Sequence, residues 1–193
     1  SKALLSGELK VPTLALWLAF TMSFATLYFL LSWVVKLAVE SGLNIENAMY
    51  AGITLSLGAF CGALTLGYLS TKLGLKRIIS LFFFAGAVMI MAYGNLKVPV
   101  VLVLVLIFFV MYFVQGGFIG LYAVAARLYP TEIRTTGVGW AIGAGRLGAI
   151  VGPAAAGFML GTGISIEWTF IIFVLPVVVA GFVIARLFSE VVD

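Results

Sequence analysis

The chain contains no histidine and a single cysteine, Cys61. An internal disulfide is therefore impossible. A histidine-based zinc site, a Ser-His-Asp triad and a Cys-His dyad are excluded within the chain, and so is histidine-dependent intramembrane proteolysis. Charge is scarce too. Of 193 residues, 9% are charged and 64% are apolar, and the mean hydropathy is +1.25. Soluble domains run near about 25% charged and about 45–50% apolar. The polar residues are too few to cover a water-soluble globule, which excludes a cytosolic enzyme. No nucleophile–base pair, metal-ligand cluster or phosphate loop is present. The expectation is a non-enzyme with no metal and no cofactor.

What the sequence does have is long apolar runs. A transmembrane helix needs about 20 apolar residues, whereas a membrane β-barrel would show short alternating segments. Six continuous blocks stand out: Pro12–Val35, Ala48–Ser70, Ile78–Tyr93, Pro99–Ala126, Thr135–Leu160 and Trp168–Leu187. The fold expected is an all-α membrane protein, a bundle of six transmembrane helices. Punctuation agrees with the blocks. Pro12 and Pro99 suit a first helical turn. Asn44 is placed to cap the second helix, with Glu46 near its positive end. Lys72 and Gly74 close it, and Pro130 ends the fourth. The connections leave no room for a soluble domain. The first block follows a polar lead with Lys2, Glu8 and Lys10, and it is long enough to read as a span rather than a signal peptide.

The net charge of +4 works as a topology signal. Six spans put both termini on one side, with Lys2, Lys10, Lys72, Lys76, Arg77, Arg127, Arg134 and Arg186. The other side carries Lys36 and Lys97. By the positive-inside rule the first side is cytoplasmic. Basic residues spread over several loops give little support to nucleic-acid binding.

One charge is deep. Arg146 sits near the middle of the fifth block, flanked by Gly143, Gly145 and Gly148. A central Arg costs about 2.5–3.5 kcal/mol on insertion scales, so it faces a water-filled cavity or a partner. Glu40, Glu46, Glu132 and Glu167 all lie at block ends. The counter-charge is then a substrate anion or an acid from outside the chain. The alternative is an arginine that satisfies itself on helix carbonyls and water. Gln115, which opens a Gln-Gly-Gly step, can reach a cavity or bond between helices. Tyr28 and Trp33 are lesser cavity candidates, and Trp33 and Trp168 also fit an interfacial aromatic belt. Glycines spaced by four recur at Gly58/Gly62, Gly116/Gly120, Gly139/Gly143, Gly148/Gly152 and Gly157/Gly161, a spacing that lets helices approach closely. Pro153 follows Gly152 inside the fifth block and permits a kink.

Three stretches resemble the major facilitator superfamily. Gly67-Tyr-Leu-Ser-Thr-Lys-Leu-Gly-Leu-Lys-Arg77 is similar to the second copy of its signature loop, with Gly67, Lys72, Gly74, Lys76 and Arg77 in the motif and Thr71 where an acid is usual. Tyr129–Pro153, reading YPTEIRTTGVGWAIGAGRLGAIVGP, resembles the tenth-to-eleventh-helix segment, most closely that of the aromatic acid:proton symporters (4-hydroxybenzoate and benzoate transporters). Tyr28-Phe-Leu-Leu-Ser-Trp33 resembles the same subfamily's seventh helix, though Val34, Val35 and Lys36 follow where proline is common. The resemblance implies the C-terminal half of a twelve-helix carrier, built of two inverted three-helix repeats that rock around a midplane site. That half would work with an N-terminal six-helix half in the inner membrane. A start at Ser1 rather than Met reads the same way.

The substrate implied is a small aromatic carboxylate, with a proton as coupling ion. Arg146 would draw in the carboxylate or hold an acid of the other half. Tyr28, Gln115 and Trp33 would line the cavity. Arg127, Glu132 and Arg134 would join the loop motif as cytoplasmic gating residues, and Gly148, Gly152 and Pro153 would let the fifth helix pack and bend. Two other readings stand beside this one: a carrier of the same superfamily for another metabolite or sugar, and a self-contained six-span homo-oligomeric channel or scaffold.

Overall fold

In hydrocarbon every backbone N–H and C=O must find its partner inside the protein, and a helix does this within one segment. The computed structural model describes residues 2–5, 7–40, 45–95 and 99–187. Two short 3-10 turns, Lys2–Leu5 and Gly7–Leu9, lead into α1 (Lys10–Glu40). There follow α2 (Ile45–Leu73), α3 (Leu75–Asn95), α4 (Val100–Leu128), α5 (Arg134–Gly161), α6 (Ile166–Ile172) and α7 (Val174–Leu187). Six stretches are long and apolar enough to cross a membrane, the last comprising α6 and α7 together. No strand occurs among the described residues.

The helices begin and end for local reasons. Gly74 joins α2 to α3 with φ +82°, a backbone that L side chains rarely adopt. Pro99 stands just before α4, and its carbonyl accepts from Leu102 and Val103 N–H at 2.9 and 3.2 Å. Tyr129, held extended by Pro130, ends α4 with φ −97° and ψ 134°. Ser165 caps α6 through Oγ, which accepts from Trp168 N–H at 3.5 Å. Asn44 lies outside the described residues.

One expectation changes. The sixth span is not one helix but is interrupted at Phe173. Pro176, three residues on, has no N–H to give the Ile172 carbonyl. Thr26, fully buried on α1, donates to the neighbouring Phe173 carbonyl at 3.3 Å, which ties α1 to the break. Pro153, by contrast, does not break its helix: α5 runs through it.

Lipid is as apolar as leucine, so packing and not apolar burial must hold the helices together. The tightest packing is between α1 and α5 and between α2 and α4. A Cβ on Gly148 or Gly152 would run into the backbone of Thr21 or Ala25 on α1. A Cβ on Gly58 or Gly62 would run into the backbone of Phe108 or Tyr112 on α4. With α1–α3 and α4–α7 as the two repeats, these pairs are equivalents of one another. α1 is the central helix, packing also on α7 and α4. Gly139, Gly143 and Gly161 have open space where a Cβ would be, so the spacing of four at those positions does not mark a contact among the described residues.

Candidate functional site

Gly145 and Gly148 hold α5 so close to α1 that a Cβ on Gly145 would strike the Phe24 ring. Arg146, between them, leaves α5 beside α1. Its guanidinium carbon lies 5.5 Å from the centre of the Phe24 ring, within cation–π range. Its Nη1 donates to the Tyr28 hydroxyl at 3.2 Å. Thr21 Oγ1 donates both to Trp17 O at 2.8 Å and across to Ala144 O at 3.2 Å, which ties the two backbones one helical turn below. The arginine is thus placed by glycine, a ring face and a phenol, with its remaining N–H groups directed to open space.

That space is a cavity of about 460 Å³, within the roughly 300–1,000 Å³ of small-molecule sites. Phe24, Leu27, Tyr28 and Leu31 of α1, Leu55, Ser56 and Ala59 of α2, Met111, Gln115, Phe118 and Tyr122 of α4, and Arg146 of α5 line it. Arg146 is the one charged residue among them, and no carboxylate lines the cavity. The rings interlock: Phe24 and Phe118 meet edge to face at 4.7 Å, and Phe118 and Tyr122 at 5.4 Å. Such a site can hold an anion at one point and a flat apolar body against the rest. Among the described residues no group of three metal-ligating side chains occurs.

The sequence-derived candidates divide. Arg146, Tyr28 and Gln115 come together around one cavity. Trp33 does not join them. It is half-buried, its Nε1 is without a hydrogen-bond partner among the described residues, and Lys36 Nζ lies 4.9 Å from its ring. Five helical residues from Tyr28 is well over one turn, which carries Trp33 onto another face. Phe24, Ser56, Phe118 and Tyr122 were not among the candidates. The α4 set at 111, 115, 118 and 122 and the α1 set at 24, 28 and 31 follow helical spacing, and that stripe is the signal that could have found them.

The loop residues lie away from the cavity. Lys72 is exposed at the end of α2 with its Nζ 4.5 Å from the Tyr68 ring centre. Gly67 and Arg77 are exposed, Gly74 makes the turn, and Lys76 is half-buried in the first turn of α3. Between α4 and α5, Arg134 Nε donates to Tyr129 O at 3.3 Å, while Glu132 accepts from Thr131 Oγ1 at 3.1 Å; Arg127 is exposed in the last turn of α4. Tyr129 turns inward, onto Gly137, and its hydroxyl bonds to Thr13 Oγ1 at 3.3 Å.

Six membrane-length helices form the fold, and one charged residue lines its open cavity. A family model described as Major Facilitator Superfamily matches residues 5–192. The chain belongs to the Major Facilitator Superfamily. Several relatives in it are transporters of aromatic acids by name. The 4-hydroxybenzoate transporter PcaK of Pseudomonas aeruginosa is 32% identical over 91% of this chain and 39% of its own length. The gallate transporter of Pseudomonas putida is 31% identical over 95% and 41%. The 3-(3-hydroxy-phenyl)propionate transporter of Escherichia coli is 36% identical over 84% and 40%. The chain spans about two fifths of the length of these relatives. These relatives within the superfamily are named as transporters, not as enzymes.

Proposed function

We propose that the chain forms the C-terminal six-helix half of a secondary transporter that carries small aromatic carboxylates together with protons. It works by alternating access against an N-terminal six-helix half, in a bacterial inner membrane with both termini cytoplasmic. The observation that carries this reading is Arg146. A guanidinium at membrane depth, beside a ring-lined cavity with no carboxylate, is matched by a substrate that brings the carboxylate and the ring together. Its position in α5, its bond to Tyr28 and the names of the relatives support the same substrate class. The split of basic residues supports the orientation. The cavity lining contains neither a histidine nor a carboxylate, so on this reading the proton-carrying group is assigned to the other half. Uptake that survives an uncoupler removes proton coupling from the proposal.

Uptake of labelled 4-hydroxybenzoate by the full-length transporter, in cells that lack other aromatic-acid uptake, tests the proposal. Uptake is expected to collapse with an uncoupler and in Arg146→Ala, and to be partly retained in Arg146→Lys. Undiminished uptake in both variants removes Arg146 from the site. Uptake of a sugar or another metabolite, with no aromatic acid transported, removes the substrate class.

A further inference from the structure

The cavity has two polar walls, and their chemistry differs. Arg146 and Tyr28 stand on α5 and α1, and they bond to one another. Gln115 and Ser56 stand on α4 and α2. Each helix pair is closed by its own glycine contacts, so each wall is a firm unit. At 1.5 Å per residue, Arg146 lies about 18 Å along α5 from Arg134, and Gln115 about 20 Å back along α4 from Leu128. Since α4 and α5 are joined by the short Tyr129–Ile133 turn, these two side chains sit at matching depth.

Ser56 Oγ donates its proton to Gly52 O at 3.0 Å, which leaves its oxygen as an acceptor. Gln115 is half-buried and its side chain makes no hydrogen bond among the described residues. Its carboxamide offers both donor and acceptor. A polar group at this depth without a protein partner is matched by water or by a ligand group. An aromatic acid that gives its carboxylate to Arg146 presents the far edge of its ring to the other wall.

Building on the proposed function, we infer that Gln115 is a specificity-determining residue that hydrogen-bonds a ring hydroxyl of the substrate, with the Ser56 oxygen as a second acceptor. The transporter then prefers hydroxylated aromatic acids to the unsubstituted ring. Removing the reader lowers that preference and leaves carboxylate capture intact, because Arg146 is on the other wall. A site that bonds a hydroxyl discriminates against the analogue without it, since its polar groups are then left unpaired.

The experiment is a pair of uptake measurements on the full-length transporter, kcat/KM for labelled 4-hydroxybenzoate and for labelled benzoate, at equal membrane expression. In wild type the ratio favours 4-hydroxybenzoate. In Gln115→Leu it falls about tenfold, the scale of one lost hydrogen bond to a desolvated group, because 4-hydroxybenzoate loses far more than benzoate does. Gln115→Met, flexible and apolar, serves where the leucine variant does not reach the membrane, with the same fall expected. Ser56→Ala moves the ratio by less. An unchanged ratio, or equal loss for both acids, overturns the inference while leaving the proposed function standing. Wild-type protein that takes up neither acid overturns both.

Discussion

The α1–α5 pair and the α2–α4 pair are closed by one device and furnished with different chemistry. In each, two glycines four residues apart set one helix backbone directly on another: Gly148 and Gly152 on Thr21 and Ala25, Gly58 and Gly62 on Phe108 and Tyr112. Yet the cation, its phenol partner and the ring face beneath it belong to the first pair. The second contributes an amide, a hydroxyl and the aromatic edges of Phe118 and Tyr122. A repeated scaffold can stay symmetric because packing must work twice. A binding site need be charged on only one side, and a second arginine on the other wall would add another insertion cost.

If the walls differ in this way, removing the cation is the heaviest blow. Arg146→Ala is expected to lower kcat/KM for any aromatic carboxylate at least about 100-fold, since it deletes one partner of a charge-assisted contact. Arg146→Lys should fall between it and wild type, because an ammonium keeps the charge without the planar fork. Equal sensitivity of benzoate uptake to Arg146→Ala and to Gln115→Leu would erase the distinction between the walls.

The scaffold symmetry predicts the next effect. Gly148→Ile and Gly62→Ile should destabilise the fold alike, by about 3 kcal/mol each, read as lost monodisperse protein in detergent and a lower Tm. A large effect at one and none at the other would break the equivalence of the pairs. A milder change sharpens the role of the first wall. Tyr28→Phe removes one hydrogen bond to Arg146 and should raise KM about fivefold with folded yield unchanged; a fall in yield with KM unaltered would make Tyr28 a packing residue instead. The smallest effect expected is Thr26→Val. It removes the α1 hydrogen bond to the Phe173 carbonyl at a cost of about 0.6 kcal/mol, seen as a shift of a degree or two in Tm with unaltered transport.

Much of this was legible in the residues, for reasons that also mark where reading stopped. Apolar length and helical folding are tied together by the bilayer, so the six blocks identify six spans. Arg146 announces itself because a charge at that depth needs a reason. Hydropathy, however, records how apolar a segment is and not whether its hydrogen bonds run unbroken. The interruption at Phe173 therefore passed as continuous helix. Glycine spacing gives distance along a helix and not direction. It found Gly148 and Gly152, which meet α1, and equally Gly139 and Gly143, where a Cβ would meet no neighbour among the described residues. Tyr28 and Trp33 differ by five positions and were offered for the same cavity. The structure puts only Tyr28 there, because five residues turn a helix well past the face on which it started. Phe24, Phe118 and Tyr122 were hidden by abundance: 14% of the chain is aromatic, and nothing in a ring's identity says whether it faces lipid or a ligand.

The glycines divide further by what they touch. Gly117 faces the ring of Phe83, and Gly120 faces the Ile79 side chain. There an added methyl can be accommodated by trimming the neighbour, so such positions should drift in matched pairs across related carriers. Gly148, Gly152, Gly58 and Gly62 face main chain. Main chain has nothing to trim. No substitution on α1 or α4 can make room for a side chain there, and a genetic screen for second-site revertants of Gly148→Ala should return the glycine itself and no compensating change on α1.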